Sequence, residues 1–455
     1  MVRSSTVDSL VSDVLAGRLS RRQAVRAAAV AGLSVSALAG GVTAASASAQ
    51  ATPAAFVPQG PQVENLLFWT RSSPDSSANE WDALSAVISA YTAAVGTPVE
   101  LITVPDADFK QKMSQAAPGG DGPDVFGPVA HDWLGEFAVQ KIAQSWTPET
   151  IAGSSELSAP SIAAVSVDGQ LYGVPLFSEA LALMRNTDLV PDAPTTWDDL
   201  VTKATDLTSG DQYGFVFPIL EQYYQGPFFF GFGSYVFKYA DGTFDTADVG
   251  LNNEGGVNAA KFLRDMYHTQ RPALPDAVLD QASAGGYIDG LFESGQVAMV
   301  IAGPWREPPV TAAGIPYAIS TLPTLPNGTA MIPFVGFQAM CVNAYSENVA
   351  AAQDLVNYIG SVEGVGMMVE GFNKAPVRSS VTQAAIELNP NFEQWVAQAE
   401  AGVPMPNIPA MSKVWEPWGS AMTGIIVNNV PDEEVQALLD DAVATIEAEI
   451  QRSQS

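Results

Sequence analysis

The sequence predicts an α/β protein of two lobes, each a mainly parallel sheet flanked by helices. Three observations carry that expectation. At 455 residues the chain exceeds the size at which a single core keeps growing. Short extended runs alternate with helical patterns, the order that builds parallel sheets. Hydrophobic residues make up 47% of the chain and charged ones 15%, with no pure apolar run long enough to span a bilayer after the N-terminus, so it reads as a folded, non-membrane protein.

Residues 1–49 read as an export segment. Ser20-Arg21-Arg22-Gln23 is a twin-arginine pattern, an alanine-rich run follows, and Ala47-Ser48-Ala49 offers a small-residue cleavage site. Residues 50–62, with Pro53, Pro58 and Pro61, form a flexible linker. Asn65 to Trp69 is a buried strand, Glu80 to Val95 a helix with Trp81, Leu84, Val87, Ile88 and Tyr91 on its core face, and Val99 to Val104 a second strand. Asp108 to Ala117 is helical, and Asp124-Val125-Phe126 is a third strand after a glycine-rich turn.

Leu171 to Met184 is extended, punctuated by Gly173 and Pro175, and holds a single acid, Glu179. An acid in such a run is desolvated, so it either pairs with a cation inside the fold or faces a polar ligand in a cleft. Thr196 caps a helix that has Asp198 and Asp199 in its first turn. Helices follow at Gly256 to Tyr267 and Gly286 to Ser294, and Val297 to Ile301 is a strand with Trp305 just past its end. Phe334 to Val342 is extended, Val349 to Ile359 helical, and Lys374 to Val377 a short crossing. From Asn389 the chain is mainly helical, ending in a helix with Val435, Leu438, Leu439, Ala442, Val443 and Ile446 on one face.

Several chemistries are excluded. The net charge of −29 disfavours nucleic acid and anionic membranes as partners. Two histidines are too few for a convincing zinc site or a Ser-His-Asp constellation. No phosphate loop or dinucleotide fingerprint is present, and no cofactor is expected. Cys341 is the only cysteine, so no internal disulfide forms, no lipobox marks the cleavage region, and the thiol reads as core packing.

Acids and aromatics near strand ends remain: Asp132, Trp133, Glu179, Glu221, Tyr223, Tyr224, Trp305, Trp415 and Trp418, the last lying three residues beyond Trp415 and reading as structural. Such a set suits a neutral sugar, because carboxylates accept from hydroxyls and aromatic faces pack on C–H faces. Any one of these residues alone reads as core packing or a solvated surface.

In chain order, Gly120 to Val125, Ala130-His131-Asp132, Gly173 to Glu179, Thr196 to Leu200, Phe237-Lys238-Tyr239, Gly303-Pro304-Trp305, Phe334-Val335-Gly336 and Met405 to Ser412 resemble the maltose/maltodextrin-binding proteins of sugar-importing ABC transporters. The resemblance spans essentially the whole chain after residue 49. It implies a type II periplasmic-binding-protein fold, with an N-terminal lobe of 63–177 plus 338–380 and a C-terminal lobe of 178–337 plus 381–455, joined by hinge crossings. It implies that Asp132, Glu179 and Glu221 bind sugar hydroxyls, that Tyr223, Trp305 and Trp415 stack, and that Tyr224 and Met405 make lesser contacts.

There are departures. The family's Asp-Lys pair after the first strand is replaced here by Thr70 to Pro74, where Arg71 is the one basic residue. A tryptophan after the third strand falls at Pro128 or Val129, leaving Trp133 as the replacement stacker, and another aromatic falls at Gly285, with Tyr287 close by. The expected function is an extracytoplasmic, monomeric receptor that binds α-glucans and delivers them to membrane permease subunits of an importer. It is not expected to be an enzyme. The rivals are a receptor for another neutral oligosaccharide, whether cyclodextrin, trehalose-like or β-linked, and a glycoside hydrolase using paired carboxylates.

Overall fold

The computed structural model describes residues 56–240 and 243–454, so the expected export segment and residues 50–55 of the linker lie outside the described residues. The chain begins β1 (Leu66–Thr70), α1 (Ala78–Val95), β2 (Val99–Thr103), α2 (Asp106–Gly119), β3 (Val125–Ala130). α1 buries Leu84, Val87, Ile88 and Tyr91 and ends at Gly96, whose φ of 86° lets its N–H return to the Thr92 carbonyl. Trp81, read as core, is half-buried. β1 pairs in parallel with β2 and β3, as the strand-helix alternation predicts.

The extended Leu171–Met184 stretch is two strands, β4 (Val174–Ala180) and β5 (Ala182–Asn186), which belong to different sheets. Pro175 sits beside a register shift in the pairing of β4, where its missing N–H costs little. There follow α3 (Trp197–Leu207), β6 (Tyr213–Val216), α4 (Gln222–Gly231), α5 (Glu254–Thr269), α6 (Ala284–Glu293), β7 (Val297–Ala302), α7 (Glu307–Ala312) and β8 (Tyr317–Ser320). The Thr196 hydroxyl accepts from the Asp199 N–H at the start of α3. Phe237–Ala240 and Thr243–Val249 form an antiparallel hairpin.

β9 (Phe334–Val342) is buried along its whole length, Cys341 included. The chain closes with α8 (Val349–Ile359), α9 (Val362–Phe372), β10 (Ala375–Pro376), α10 (Ser379–Leu388), α11 (Asn391–Glu400), β11 (Val403–Pro404), α12 (Trp415–Val427) and α13 (Asp432–Gln454).

Two main sheets result. The larger runs β10-β4-β9-β3-β1-β2, with β11 added beside β9; the smaller runs β8-β5-β7-β6. Both are mixed and not mainly parallel as expected: β9 runs antiparallel to β3 and β4, β10 to β4, and β7 and β8 to β5, because the chain returns to each sheet in the opposite direction after its crossovers. The chain leaves the larger sheet at Leu181 and rejoins it at Phe334, so both changes of sheet fall a few residues outside the positions 177/178 and 337/338. The reason is local: β4 and β9 pair with each other from Val174 to Ala180, and that ladder carries residues 178–180 and 335–337 in the larger sheet.

Candidate functional site

Strand ends supply the candidate residues. Arg71 follows β1, Asp132 lies in the 3-10 turn His131–Trp133 after β3, Glu221 caps α4 shortly after β6, and Trp305 lies in the turn Pro304–Arg306 after β7. Carboxyl ends of parallel strands are where α/β sheets leave room for ligands. Trp305 is held down by its neighbour: its indole covers Gly303 so closely that a Cβ there would fall 2.1 Å from the ring.

Tyr223 lies among these groups' elements, in the first turn of α4 and against Trp305. Burial raises the pKa of its hydroxyl well above the usual value, and the charges of Glu179, Asp132 and Glu221, with the Tyr224 hydroxyl, push the same way. The hydroxyl is buried without a hydrogen-bond partner among the described residues. So is Asp132 Oδ1, although the residue as a whole is only half-buried. Burial lifts the Asp132 pKa to about 6 against the opposing charges of Lys110 and Arg71. Burial alone raises that of Glu221.

Aromatic rings line the same place. Tyr223 stacks on Phe334 at 6.2 Å and 15° and lies 6.4 Å from Trp305. Trp415 meets the edge of Phe334 at 6.0 Å and lies parallel to Trp418, which is fully buried.

A cleft of about 430 Å³ opens beside them, lined by Arg71, Glu80, Glu179, Trp305, Gln338 and Lys374 among others. Glu179 has the buried cation that one expectation called for, and it also lines the cleft. Its Oε2 lies 3.3 Å from Lys374 Nζ, the Gln338 amide approaches both oxygens at 3.4 Å, and the carboxylate still faces the cleft.

Other expected residues are differently engaged. The Arg71 guanidinium donates to Asp106 at 2.6 Å and to the Pro128 carbonyl at 3.0 Å, and lies 5.1 Å from the Trp133 ring centre. Trp133 also meets Lys110, Phe109 and Phe137, which limits the ring surface left for a ligand. Tyr224 lines a separate cavity of about 50 Å³ with Asp289, Trp305 and Arg306. Met405 is buried, and its backbone carbonyl accepts from His131 Nε2 at 2.9 Å. Tyr287 is exposed on α6 and lines neither cavity.

Sequence reading missed Lys374, Gln338 and Phe334 as parts of this region. Lys374 carried the one available signal, a lone basic residue at the start of a short apolar crossing. It also missed the buried Glu307, which accepts from Trp395 Nε1 at 2.6 Å, Asn391 at 2.7 Å, Tyr317 at 2.8 Å and Asn373 at 3.1 Å. Among the described residues no cluster of three His, Cys, Asp or Glu is placed to hold a metal, and no helix is long and apolar enough to cross a membrane.

Residues 86–400 match the family described as bacterial extracellular solute-binding protein. The chain belongs to that family. Among its relatives is a galactooligosaccharide-binding protein of Bacillus subtilis, 28% identical over 82% of this chain and 88% of the relative. A maltodextrin-binding protein of the same organism is 31% identical over 66% of this chain and 71% of its own length. The solved structure of the Thermus thermophilus maltotriose-binding protein with maltotriose is 31% identical, covers 85% of this chain and all of that one, and superposes with a TM-score of 0.75. The α/β architecture above is therefore that of the family's two-lobed solute receptors, here with its cleft at the strand ends.

Proposed function

We propose that the protein is an extracytoplasmic receptor for maltose/maltodextrin-type α-glucans and passes them to the permease subunits of an ABC importer. The carrying observation is a pair of buried polar atoms without partners, the Tyr223 hydroxyl and Asp132 Oδ1, with the Tyr223 ring packed among those of Trp305 and Phe334 and with Trp415 at the edge of Phe334. A buried acceptor without a donor is costly, and a polyhydroxylated ligand supplies the missing donors. The rings provide flat apolar surface for the sugar's C–H faces. The names of the maltodextrin- and maltotriose-binding relatives agree with this cargo.

In this reading the two lobes are close to those expected from the sequence but hinged where the chain changes sheet, near Leu181 and Phe334, and closure over the sugar forms the state the permease recognises. The protein acts as a monomer, exported by the twin-arginine route. A second cargo, a galactooligosaccharide, is favoured by the relative of that name, which covers more of the chain.

Tryptophan fluorescence titrated with maltose, maltotriose, a cyclodextrin and a galactooligosaccharide tests the assignment. Maltotriose is expected to bind with a Kd on the order of 1 μM, equivalent to about −8 kcal/mol. No response to maltose or maltotriose would reject the α-glucan, and tighter binding of the galactooligosaccharide would replace it. The same incubation mixtures, held for a day, are expected to contain no released glucose.

A further inference from the structure

Lys374 lies outside the set of acids and aromatics argued above. It stands just before β10, in the first residue position after Asn373, and its side chain is 8% exposed where it reaches the 430 Å³ cleft. Ala375 pairs with Ser178 and Pro376 with Phe177, antiparallel, so the register sets Lys374 across from Glu179. The ammonium is 3.3 Å from Glu179 Oε2 and 3.9 Å from Glu80 Oε1. The backbone before it is fixed. Asn373 adopts a left-handed conformation, returns its N–H to Val369, and donates its side-chain amide to the Pro304 carbonyl at 2.9 Å and to Glu307 at 3.1 Å. Lys374 is thereby tied to the same turn that carries Trp305.

We propose that Lys374 contacts the sugar, and that with Glu179 it grips two adjacent hydroxyls of one pyranose ring. The proposal rests on the glucan reading above. An ammonium has three donors and a carboxylate only acceptors. Side by side across a ladder, they offer one of each to the cleft: one ring hydroxyl donates to Glu179, and the oxygen of its neighbour accepts from Lys374. A carboxylate alone leaves the second oxygen without a donor. The existing contacts leave room for this, since the Gln338 amide reaches both Glu179 oxygens only at 3.4 Å and Glu80 is at the far limit of an ion pair from Lys374. Lys374 is thus a specificity residue, reading whether two vicinal hydroxyls are free.

Calorimetry tests this with wild type, Lys374→Met, Lys374→Gln, Glu179→Gln and the Glu179→Gln/Lys374→Met double variant. The ligands are maltotriose and maltotrioses in which single hydroxyls are replaced by hydrogen. Wild type is expected to bind one such deoxy derivative at least tenfold more weakly than maltotriose. Lys374→Met is expected to lose ten- to a hundredfold for maltotriose and to stop discriminating against that derivative. The loss is expected to persist in the Glu179→Gln background, which removes the unpaired charge that Lys374→Met would leave and so retains a foldable test if the single variant melts. Wild-type affinity in Lys374→Met, or recovery of affinity in the double variant, overturns the proposal and leaves the glucan reading standing. Failure of wild type to bind maltotriose overturns both.

Discussion

His131 and Asp132 are adjacent in sequence and opposed in what protons do to them. Phe337 donates its N–H to His131 Nδ1 at 3.0 Å, so the ring proton sits on Nε2, which donates to the Met405 carbonyl. Burial lowers this histidine's pKa from 6.5 to about 4. Between those values the unfolded chain holds more protons than the native one, and stability falls as pH drops. Asp132 runs the other way. Its native pKa of about 6 lies above the ordinary 3.8, so the native state holds the extra proton in that interval and gains stability as pH drops. Each effect is on the order of 3 kcal/mol, and between pH 6 and 4 they nearly cancel. Asp132→Asn removes the counterweight. In denaturant melts across this range the variant is expected to lose about 3 kcal/mol more than wild type on acidification from pH 6.5 to 4, and to be the more stable of the two at pH 7. Parallel curves for the two proteins would show that Asp132 is solvated in the free protein, and the orphaned acceptor that supports the sugar reading would go with it. Little of this was legible in the sequence. Ala130-His131-Asp132 identified the place, but the tautomer and both shifts arise from β9 and the Met405 segment, which are more than 200 residues away.

At the scale of elements, sequence reading did best where periodicity or a breaker carries the signal. The strand-helix alternation through residue 130, the capped start of α3, and the apolar run of β9 all follow from local pattern. It did worst where an element is short and defined by its partner. β10 and β11 are two-residue strands that exist because β4 and β9 offer them an edge, and the antiparallel pairing of Phe237–Ala240 with Thr243–Val249 was not foreseen, although Phe237-Lys238-Tyr239 stood among the family motifs. The turn after β7 shows both sides. Gly303-Pro304-Trp305 announced an aromatic at a strand end; that Gly303 leaves the space the indole fills is a tertiary fact with no local signal. This yields a test that leaves the indole in place. In Gly303→Ala the new methyl collides with the ring at 2.1 Å, and Trp305 must rotate out of the cleft. Maltotriose affinity is expected to fall at least tenfold, approaching the loss in Trp305→Ala, while the melting temperature changes little. A Gly303→Ala protein with wild-type affinity would mean that the ring's position over Gly303 is not its working position.

For the whole molecule, the decisive fact is which sheet carries which of the candidate residues. Arg71, Asp132 and Glu179 follow or belong to strands of the larger sheet and Lys374 immediately precedes one, whereas Glu221, Tyr223 and Trp305 follow strands of the smaller sheet. Neither sheet alone offers both acids and stacking rings in full. The chain passes between the sheets at Leu181, immediately after Glu179 and the pairing of β4 with β9, and again on entering β9 at Phe334, which itself stacks on Tyr223. A ligand held by both sheets therefore pulls directly on the two passages, and its binding energy is available to favour a closed arrangement over an open one. Glu307 bears on the same equilibrium: it lies on α7 after the Trp305 turn, and its donors Asn373, Asn391 and Trp395 come from the segments that flank β10 and from α11. Small-angle scattering with and without saturating maltotriose is expected to show a smaller radius of gyration in the bound protein, and amides of residues 178–182 and 333–338 are expected to exchange more slowly. Trp305→Ala, saturated at higher sugar concentration, keeps the contacts of the larger sheet and loses the main one from the smaller, so its compaction is expected to be partial. Full compaction in that variant would place the driving contact elsewhere on the smaller sheet, at Glu221 or Tyr223. Tight binding by wild type with no change in scattering or exchange would mean that the sugar is read by a rigid cleft, and hinge closure would have to be abandoned as the signal to the permease.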